Sequence, residues 1–198
     1  QYLNLIEKSV DSINHFSEIP FLPISLFKTH LVKTGNFKTN HVFESSTTTG
    51  STPSKHYINR INDYHENCLK ILENRIGPLS EYEIFGLLPN YLERKNSSLV
   101  SMVEFLMQKN KQPLNFYLYN FEELDQKMKE TSKKKLLFGV SFALMDFAKD
   151  YPQSLSDLTV IETGGMKGRK QEITKPDLYQ ILQKSFEGST IISEYGMT

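Results

Sequence analysis

A loop crowded with hydroxyl side chains surrounds Gly50, in the stretch ESSTTTGSTPSK at residues 44–55. Its hydroxyls and backbone N–H groups can donate hydrogen bonds to an anion, and a helix beginning after the loop would add the partial positive charge of its N-terminus. Such a loop can hold a phosphate without a lysine clamp, although it does not match the G-x-x-x-x-G-K-[ST] pattern of a P-loop. A flexible Ser/Thr-rich linker is the other interpretation of these residues.

A second candidate loop, TGGMKGR at residues 163–169, follows a predicted strand. Gly164 and Gly165 let the backbone approach a flat ligand closely, where side chains would collide. The same residues are also explained as a plain turn that leads to a helix capped by Thr174. Both interpretations stay open from this stretch alone.

The third candidate loop, SEYGMT at residues 193–198, follows the last predicted strand. It offers the ring of Tyr195 beside Gly196 and the hydroxyl of Thr198, a set that suits stacking on a base with a phosphate nearby. An aromatic residue at a strand end is also a common feature of cores and rims. This loop supports a nucleotide-binding interpretation only in combination with the other two loops.

The sequence lacks the motifs of several specific catalytic, metal-binding and nucleotide-binding sites. His65 opens an H-E-x-x-H zinc motif whose second histidine is absent, and neither G-x-S-x-G nor G-x-G-x-x-G occurs. The single cysteine, Cys68, excludes an internal disulfide framework and indicates a reducing compartment. The remaining histidines stand far apart and are interpreted as surface or packed residues: His15, His30, His41 and His56.

Composition indicates a folded globular chain without a global charge signal. Of the 198 residues, 38% are hydrophobic, and the 23 basic side chains balance the 23 acidic ones. Net charge therefore gives no reason to expect nucleic acid or an anionic membrane as a partner. The basic run at 133–135 is interpreted as a solvated entry to a strand. No apolar stretch approaches the roughly 18–20 residues of a membrane span, so we expect a cytoplasmic protein.

Short apolar strands alternate with helical patterns along most of the chain. Residues 1–36 are predicted to hold an opening helix (2–16) and a proline-rich lead-in, and residues 37–198 an α/β unit. A long helix is predicted from Tyr57 to about Gly77. This alternation predicts an α/β fold, a mostly parallel sheet with helices on both faces. The other predicted strands are 40–44, 83–89, 113–119, 135–140, 157–163 and 189–193, and the other helices 98–109, 121–129, 142–149 and 174–186.

Ligands of open parallel sheets bind beyond the carboxyl ends of the strands. The three loops all leave predicted strands, so they are expected to face one crevice. In this order they resemble the signatures of the acyl-adenylate-forming superfamily, which includes fatty acyl-CoA synthetases and peptide-synthetase adenylation domains. Residues 45–53 resemble its S-S-G-T-T-G-x-P signature, and residues 195–198 resemble the start of Y-G-x-T-E.

The chain looks more similar still to the acyl-protein synthetase (LuxE) family. The resemblance covers the chain from about Ile19 onward and is carried by IPFLPISLFKTH, FESSTTTGSTPSKHY and TVIETGGMKGRKQEITKPDLYQIL. It implies the large N-terminal domain of an ATP-dependent, AMP-forming ligase. Such an enzyme activates a carboxylic acid, here a fatty acid, as an acyl-adenylate and passes the acyl group to a thiol. ATP and Mg²⁺ are the implied cofactors.

The resemblance also assigns roles to residues by position. Gly164, Gly165 and Met166 would line the adenine through their backbone, Tyr195 would stack on it beside Gly196, and Thr198 would contact the α-phosphate. The nucleotide phosphates would be held by Ser45, Ser46, Thr48, Thr49, Gly50 and Ser51. The acyl pocket would be formed by Tyr91, Ser97, Phe138, Ser141 and Phe142, each of which is also explained as core or helix capping.

The sequence departs from the family pattern at its end. Thr198 is followed by no residue in this sequence, whereas the family has its metal-binding glutamate next and a C-terminal domain with a catalytic lysine beyond it. We therefore expect this chain alone not to complete adenylation. Cys68, in the middle of a predicted helix, is a poor candidate for the family's acyl-accepting cysteine. The alternatives are a catalytically inactive nucleotide- or partner-binding domain and a flavodoxin-like flavin-binding module.

Replacing Thr47 with glycine is expected to strengthen ATP binding by about tenfold. Thr47 stands where the family pattern has glycine, and a β-branched side chain restricts a tight loop by roughly 1–2 kcal/mol. Isothermal titration of ATP with Mg²⁺ into both proteins measures the change. Equal or weaker binding by Thr47→Gly would contradict the assigned role of the loop.

Overall fold

The computed structural model describes residues 2–45, 52–89, 96–164 and 173–196. Its strands are β1 His41–Glu44, β2 Lys55–Ile58, β3 Tyr82–Leu87, β4 Phe116–Tyr117, β5 Lys134–Val140, β6 Gln153–Ser154, β7 Leu158–Thr163, β8 Phe186–Glu187 and β9 Thr190–Ser193. Its helices are α1 Tyr2–Leu5, α2 Leu26–Thr29, α3 Ile61–Ile76, α4 Ser98–Lys109, α5 Phe121–Glu130, α6 Ser141–Asp150 and α7 Lys175–Ser185.

Five strands form one parallel sheet in the order β4-β3-β5-β7-β9. Strands β3, β5 and β7 read as continuous apolar runs because both faces of a parallel sheet are covered. This sheet confirms the predicted α/β fold. The buried residues of β3 and β5 include Ile84, Phe85, Leu87, Leu136, Leu137, Phe138 and Val140.

The helices cover the two faces of this sheet. Crossover connections between parallel strands are right-handed, which places α4 on one face and α5, α6 and α7 on the other. Ring contacts agree with this division. On one face His65 of α3 stacks on Phe105 of α4, and on the other Phe121 of α5 lies 5.8 Å from Phe147 of α6.

The side on which the chain adds its next strand changes between β3 and β5, while all strands stay parallel. The connection leaving β3 leads through α4 to β4 on one side, whereas the connection leaving β5 leads through α6 to β7 on the other. Loops diverge at such a point and leave a crevice at the carboxyl ends of the strands. The topology therefore directs attention to the exits of β3, β5 and β7.

The hydroxyl-rich loop joins two antiparallel strands, because β1 pairs with β2 from His41↔Ile58 to Glu44↔Lys55. The prediction that a helix begins directly after the loop, near Tyr57, is wrong: β2 comes first and α3 starts at Ile61. The four residues KHYI of β2 show no alternation of apolar and polar side chains, so the sequence carries no strand signal there. The loop consequently lacks the helix N-terminus that was expected to assist anion binding.

The opening segment is not the predicted helix over residues 2–16. Helix α1 ends at Leu5, and two short 3₁₀ helices follow at Val10–Ser12 and Phe16–Glu18, with no buried residue in any of the three. Helical periodicity stabilises a helix only when its apolar face packs against something. Here Leu5, Val10 and Phe16 are exposed.

Two smaller differences concern strands. Strand β4 is confined to Phe116–Tyr117, shorter than the predicted 113–119. The basic run is not wholly solvated, because Lys135 is only 6% exposed and its Nζ lies 2.6 Å from Asp157 Oδ2. Such a buried ammonium needs a paired carboxylate to offset its lost hydration.

Capping agrees with the sequence at two helices. Ser97 accepts a hydrogen bond from the Val100 N–H at the start of α4, and Thr174 accepts one from the Asp177 N–H at the start of α7. Both bonds satisfy backbone donors that a helix leaves free in its first turn.

Within the described ranges, no helix has the length and apolar character needed to cross a bilayer.

Replacing Gly139 with alanine is expected to lower the free energy of unfolding by about 1–3 kcal/mol, the typical cost of overpacking a core. A Cβ at Gly139 would lie 2.5 Å from Cγ and Cδ2 of Leu144 in α6. Urea unfolding measures the change. The matched background is Leu144→Ala, in which the clash is removed and adding Gly139→Ala should cost well under 1 kcal/mol. An equal cost in both backgrounds would contradict this packing argument.

Candidate functional site

A polar cluster lies at the carboxyl edge of the sheet, where β5, β7 and β9 end side by side. Glu162 of β7 stands opposite Gly139 of β5 and Ser193 of β9 in the register of the sheet. Ser141 follows β5 directly, and Glu194 follows β9. Parallel strands bring these side chains together from three separate parts of the chain.

Glu162 is the centre of this cluster and is only 2% exposed. The Ser141 hydroxyl donates to its Oε1 at 2.5 Å, and the Ser193 hydroxyl donates to its Oε2 at 3.1 Å. Lys175 Nζ donates to the Ser193 oxygen at 2.8 Å and lies 4.0 Å from the same Oε2. These partners offset the cost of removing the carboxylate from water.

Gly164 adjoins the same cluster at the exit of β7. Its carbonyl oxygen also receives the Ser141 hydroxyl, so the single hydroxyl hydrogen is shared between Gly164 and Glu162. Its φ of 76° lies in the left-handed region that glycine adopts without a Cβ penalty. The second loop therefore begins from a backbone position that is both tightly turned and fixed.

Glu194 joins the second and third loops. Its Oε2 accepts from the Thr163 hydroxyl at 2.7 Å, and its backbone N–H donates to the Glu162 carbonyl at 2.8 Å. The carboxylate also acts on helix α3. Burial is the main cause that raises the pKa of the Tyr64 hydroxyl and that of the Cys68 thiol, and the negative charge of Glu194 adds to both.

Ser45 closes the neck of the hydroxyl-rich loop. Its N–H donates to the Ser54 carbonyl at 3.0 Å, and its hydroxyl oxygen accepts from the Ser54 N–H at 2.9 Å. The strand before it is held to α3, since the Phe43 ring lies 5.0 Å from the Tyr64 ring. Tyr64 thus links this hairpin to α3. Ser46, Thr48, Thr49, Gly50 and Ser51 lie outside the described residues.

Tyr195 is 83% exposed, so its ring has faces free for a ligand. Gly196 follows it, and a Cβ there would meet Glu194 Oε1 at 2.9 Å. A larger residue would therefore displace the carboxylate that ties this loop to β7. The other residues assigned to adenine and phosphate in these two loops, Gly165, Met166 and Thr198, lie outside the described residues.

The residues expected at an acyl pocket serve packing and capping. Phe138 and Phe142 belong to the buried core, and Ser97 caps α4 as described above. Ser141 is buried and its hydroxyl is engaged by Glu162 and Gly164. Tyr91 lies outside the described residues. The acyl pocket stays a prediction.

A cavity of about 410 Å³, which sequence reasoning missed, lies between β1, α3 and α4. His65 and Ser101 face each other in it, with Nε2 2.9 Å from the hydroxyl oxygen. In the sequence His65 belonged only to an incomplete zinc motif. The available signal was the helical spacing of Ser101 and Phe105, which share one face of α4. Among the residues that the structure describes, no group of three or more His, Cys, Asp or Glu could hold a metal ion.

Comparison with known proteins supports the fold. No family model matches the chain, and no curated protein sequence is recognisably similar to it. Among solved structures, a mutant form of coronafacic acid ligase from Pectobacterium brasiliense matches 83% of this chain and 30% of its own, with 18% identity and a TM-score of 0.51. The luciferase-like enzyme from the nonluminescent mealworm Zophobas morio matches 84% of this chain and 36% of its own, with 19% identity and a TM-score of 0.49.

The chain thus spans about a third of the length of these two proteins. At this level of identity, the likeness to the ligase shows a shared α/β fold.

Replacing Glu194 with glutamine is expected to speed alkylation of Cys68 by iodoacetamide about twofold to threefold at pH 8. The thiolate is the reactive form, and its pKa is raised first by burial and further by Glu194, so half-maximal reactivity lies above the ordinary value of 9.0. Removing the negative charge lowers that pKa. The matched control is Glu66→Gln on α3 itself, which should leave the rate unchanged. No effect of Glu194→Gln would mean that the third loop does not face α3.

Proposed function

We propose that the chain is part of an ATP-dependent, AMP-forming acyl ligase, in which the carboxyl edge of the sheet and the hydroxyl-rich loop bind the nucleotide. The observation that carries the proposal is the position of Glu194. It is hydrogen-bonded to Thr163 at the exit of β7, which joins the second and third candidate loops at the carboxyl edge of the sheet. The neck of the first loop is closed separately, by the hydrogen bonds between Ser45 and Ser54.

The described residues suit an adenine nucleotide. The exposed ring of Tyr195 is available to stack on a base, and Ser141 fixes the backbone at Gly164, at the exit of the neighbouring strand. Ser45, in the closed neck of its loop, retains a hydroxyl hydrogen to donate toward a phosphate, because its oxygen is the acceptor for Ser54. Ser46, Thr48, Thr49, Gly50, Ser51, Gly165, Met166 and Thr198 complete the proposed binding set by position.

Bound ATP would supply the AMP group that activates a carboxylic acid, and Mg²⁺ would offset the charge of the phosphates. The residues of this chain would bind and orient the nucleotide. In the finer form of the proposal, the acid is a fatty acid and the acyl group passes to a thiol, as the resemblance to acyl-protein synthetases implies. The name of coronafacic acid ligase, a structural neighbour, also specifies an acid as the ligated compound.

A catalytically inactive domain that binds a nucleotide or a protein partner is the second candidate. The observation that favours it is the engagement of Glu162, the most buried carboxylate at this edge, by Ser141 and Ser193. A carboxylate occupied in this way stabilises the strand ends and is not presented to a metal ion. If this domain binds a nucleotide, ATP binds without pyrophosphate release even in a longer form of the protein; if it binds a protein partner, ATP does not bind.

Replacing Tyr195 with alanine is expected to weaken ATP binding about tenfold, because stacking of a base on an aromatic side chain contributes about 1–3 kcal/mol. Isothermal titration of ATP with Mg²⁺ measures the affinity of each protein. Phe21→Ala is the matched control, since this aromatic residue is 94% exposed and lies far from the loops in sequence.

Two outcomes would contradict the proposal. If both variants bind as the unaltered chain does, Tyr195 does not contact adenine. If the unaltered chain and Thr47→Gly both fail to bind ATP, the nucleotide site is absent and a partner-binding domain is the better account. Because this chain alone is expected not to complete adenylation, the ligase is distinguished from the inactive domain by pyrophosphate release with a fatty acid from a longer form that carries the metal-binding glutamate and the C-terminal domain.

A further inference from the structure

Helices α3 and α4 bring a histidine and a serine into hydrogen-bonding contact beside the 410 Å³ cavity. His65 Nε2 lies 2.9 Å from the Ser101 oxygen, within the range in which a general base takes a proton from a nucleophile. Both side chains are half-buried, so the pair is reachable from the cavity. Neither residue belongs to the cluster at the carboxyl edge of the sheet.

The imidazole ring is held in place by aromatic neighbours. It stacks on Phe105 with a centroid distance of 4.5 Å and an interplanar angle of 10°, and it meets the Tyr64 ring at 5.6 Å. Phe105 lies one turn beyond Ser101 on the same helix, so a single face of α4 supplies both the stacking ring and the hydroxyl. Packing therefore fixes which ring nitrogen points at Ser101.

The charge environment suits a base that must be neutral before reaction and cationic after it. Burial lowers the pKa of His65, and nearby His41 of β1 lowers it further, which keeps the imidazole neutral at pH 7. Glu104 of α4 and Glu66 of α3 act in the opposite direction and would stabilise the imidazolium formed by proton transfer. The ammonium of Lys109 on α4 is 3.1 Å from Glu66 and is paired with it.

The cavity itself can accommodate a small acyl group. Its wall combines apolar side chains with amides that can donate hydrogen bonds to a developing oxyanion. The apolar wall is formed by Val42, Phe43, Ile61 and Phe105, and the amides belong to Asn40, Asn96 and Gln108.

We propose that Ser101 and His65 form a second site, in which Ser101 accepts an acyl group from a small activated ester or thioester. The Ser101 oxygen forms a bond to the acyl carbon, and the bond from that carbon to the leaving oxygen or sulfur breaks. His65 Nε2 takes the hydroxyl proton and delivers it to the leaving group. The products are acyl-Ser101 and a free alcohol or thiol. This site does not depend on the proposed ligase function.

A second histidine–serine hydrogen bond in the chain serves as a comparison for the His65–Ser101 pair. His15 Nδ1 lies 2.8 Å from the Ser17 hydroxyl, but both residues are exposed and neither lines the 410 Å³ cavity. A hydrogen bond alone would make Ser17 as reactive as Ser101. The cavity and the burial of His65 predict that only Ser101 reacts.

The test is acetylation by p-nitrophenyl acetate, followed by release of p-nitrophenolate, by intact mass and by peptide mapping. We expect one acetyl group on Ser101, at a rate at least tenfold above that of Ser17. Ser101→Ala should abolish it, and His65→Gln should slow it about a hundredfold, the usual contribution of a general base. Ser98→Ala, one turn earlier on α4, is the control and should react as the unaltered chain does.

The pH dependence separates catalysis from simple exposure. Because the pKa of His65 is lowered from 6.5, the rate should be constant at neutral pH and fall only as the solution is acidified below that value. His65→Gln should lose this step. If Ser101→Ala unfolds, Ser101→Cys keeps the side-chain volume and should be acetylated at position 101.

Acetylation spread over lysines without a Ser101 adduct would overturn the proposal. An equal rate at Ser17 would overturn it as well.

Discussion

Parallel pairing of β3 with β5 is the constraint on which the rest of the structure depends. Six residue pairs, from Tyr82↔Lys134 to Leu87↔Gly139, join two strands that lie side by side with their faces covered. Parallel strands cannot be joined by a tight turn, so each needs a crossover, and the crossovers supply the covering helices. Close packing then leaves room only for glycine at Gly86, opposite the Phe116 ring, and at Gly139, opposite Leu144.

The same constraint concentrates polar chemistry at one edge. All strands of the main sheet end at the same side, so hydroxyls and carboxylates excluded from the apolar interior collect there. Glu162 is buried at that edge because Ser141, Ser193 and Lys175 supply the interactions that water would otherwise provide. Thr163 and Glu194 extend the network toward α3. The side chains that hold the strand ends together therefore lie at the same edge as the proposed ligand site.

The helices and strands predicted from sequence agreed with the structure where an apolar face is buried. Helix α4 was predicted with its observed bounds, since its apolar positions recur at helical spacing and Ser97 caps it. The same spacing over residues 2–16 failed, because that segment has no partner surface and ends its first helix at Leu5. Strand β2 was missed for the converse reason: its four residues carry little pattern, and pairing with β1 decides their conformation. All residues assigned to phosphate stay a prediction.

The sequence by itself determined the alternation of buried strands and helices, hence the parallel sheet, and it indicated Ser45, Gly164 and Tyr195 as members of loops that leave strands. Only the tertiary structure decided which side chains meet. The contact between Ser141 and Glu162 joins residues 21 apart, and that between His65 and Ser101 joins residues 36 apart. Periodicity records which face of an element is buried, whereas such contacts depend on how elements distant in the chain are packed together.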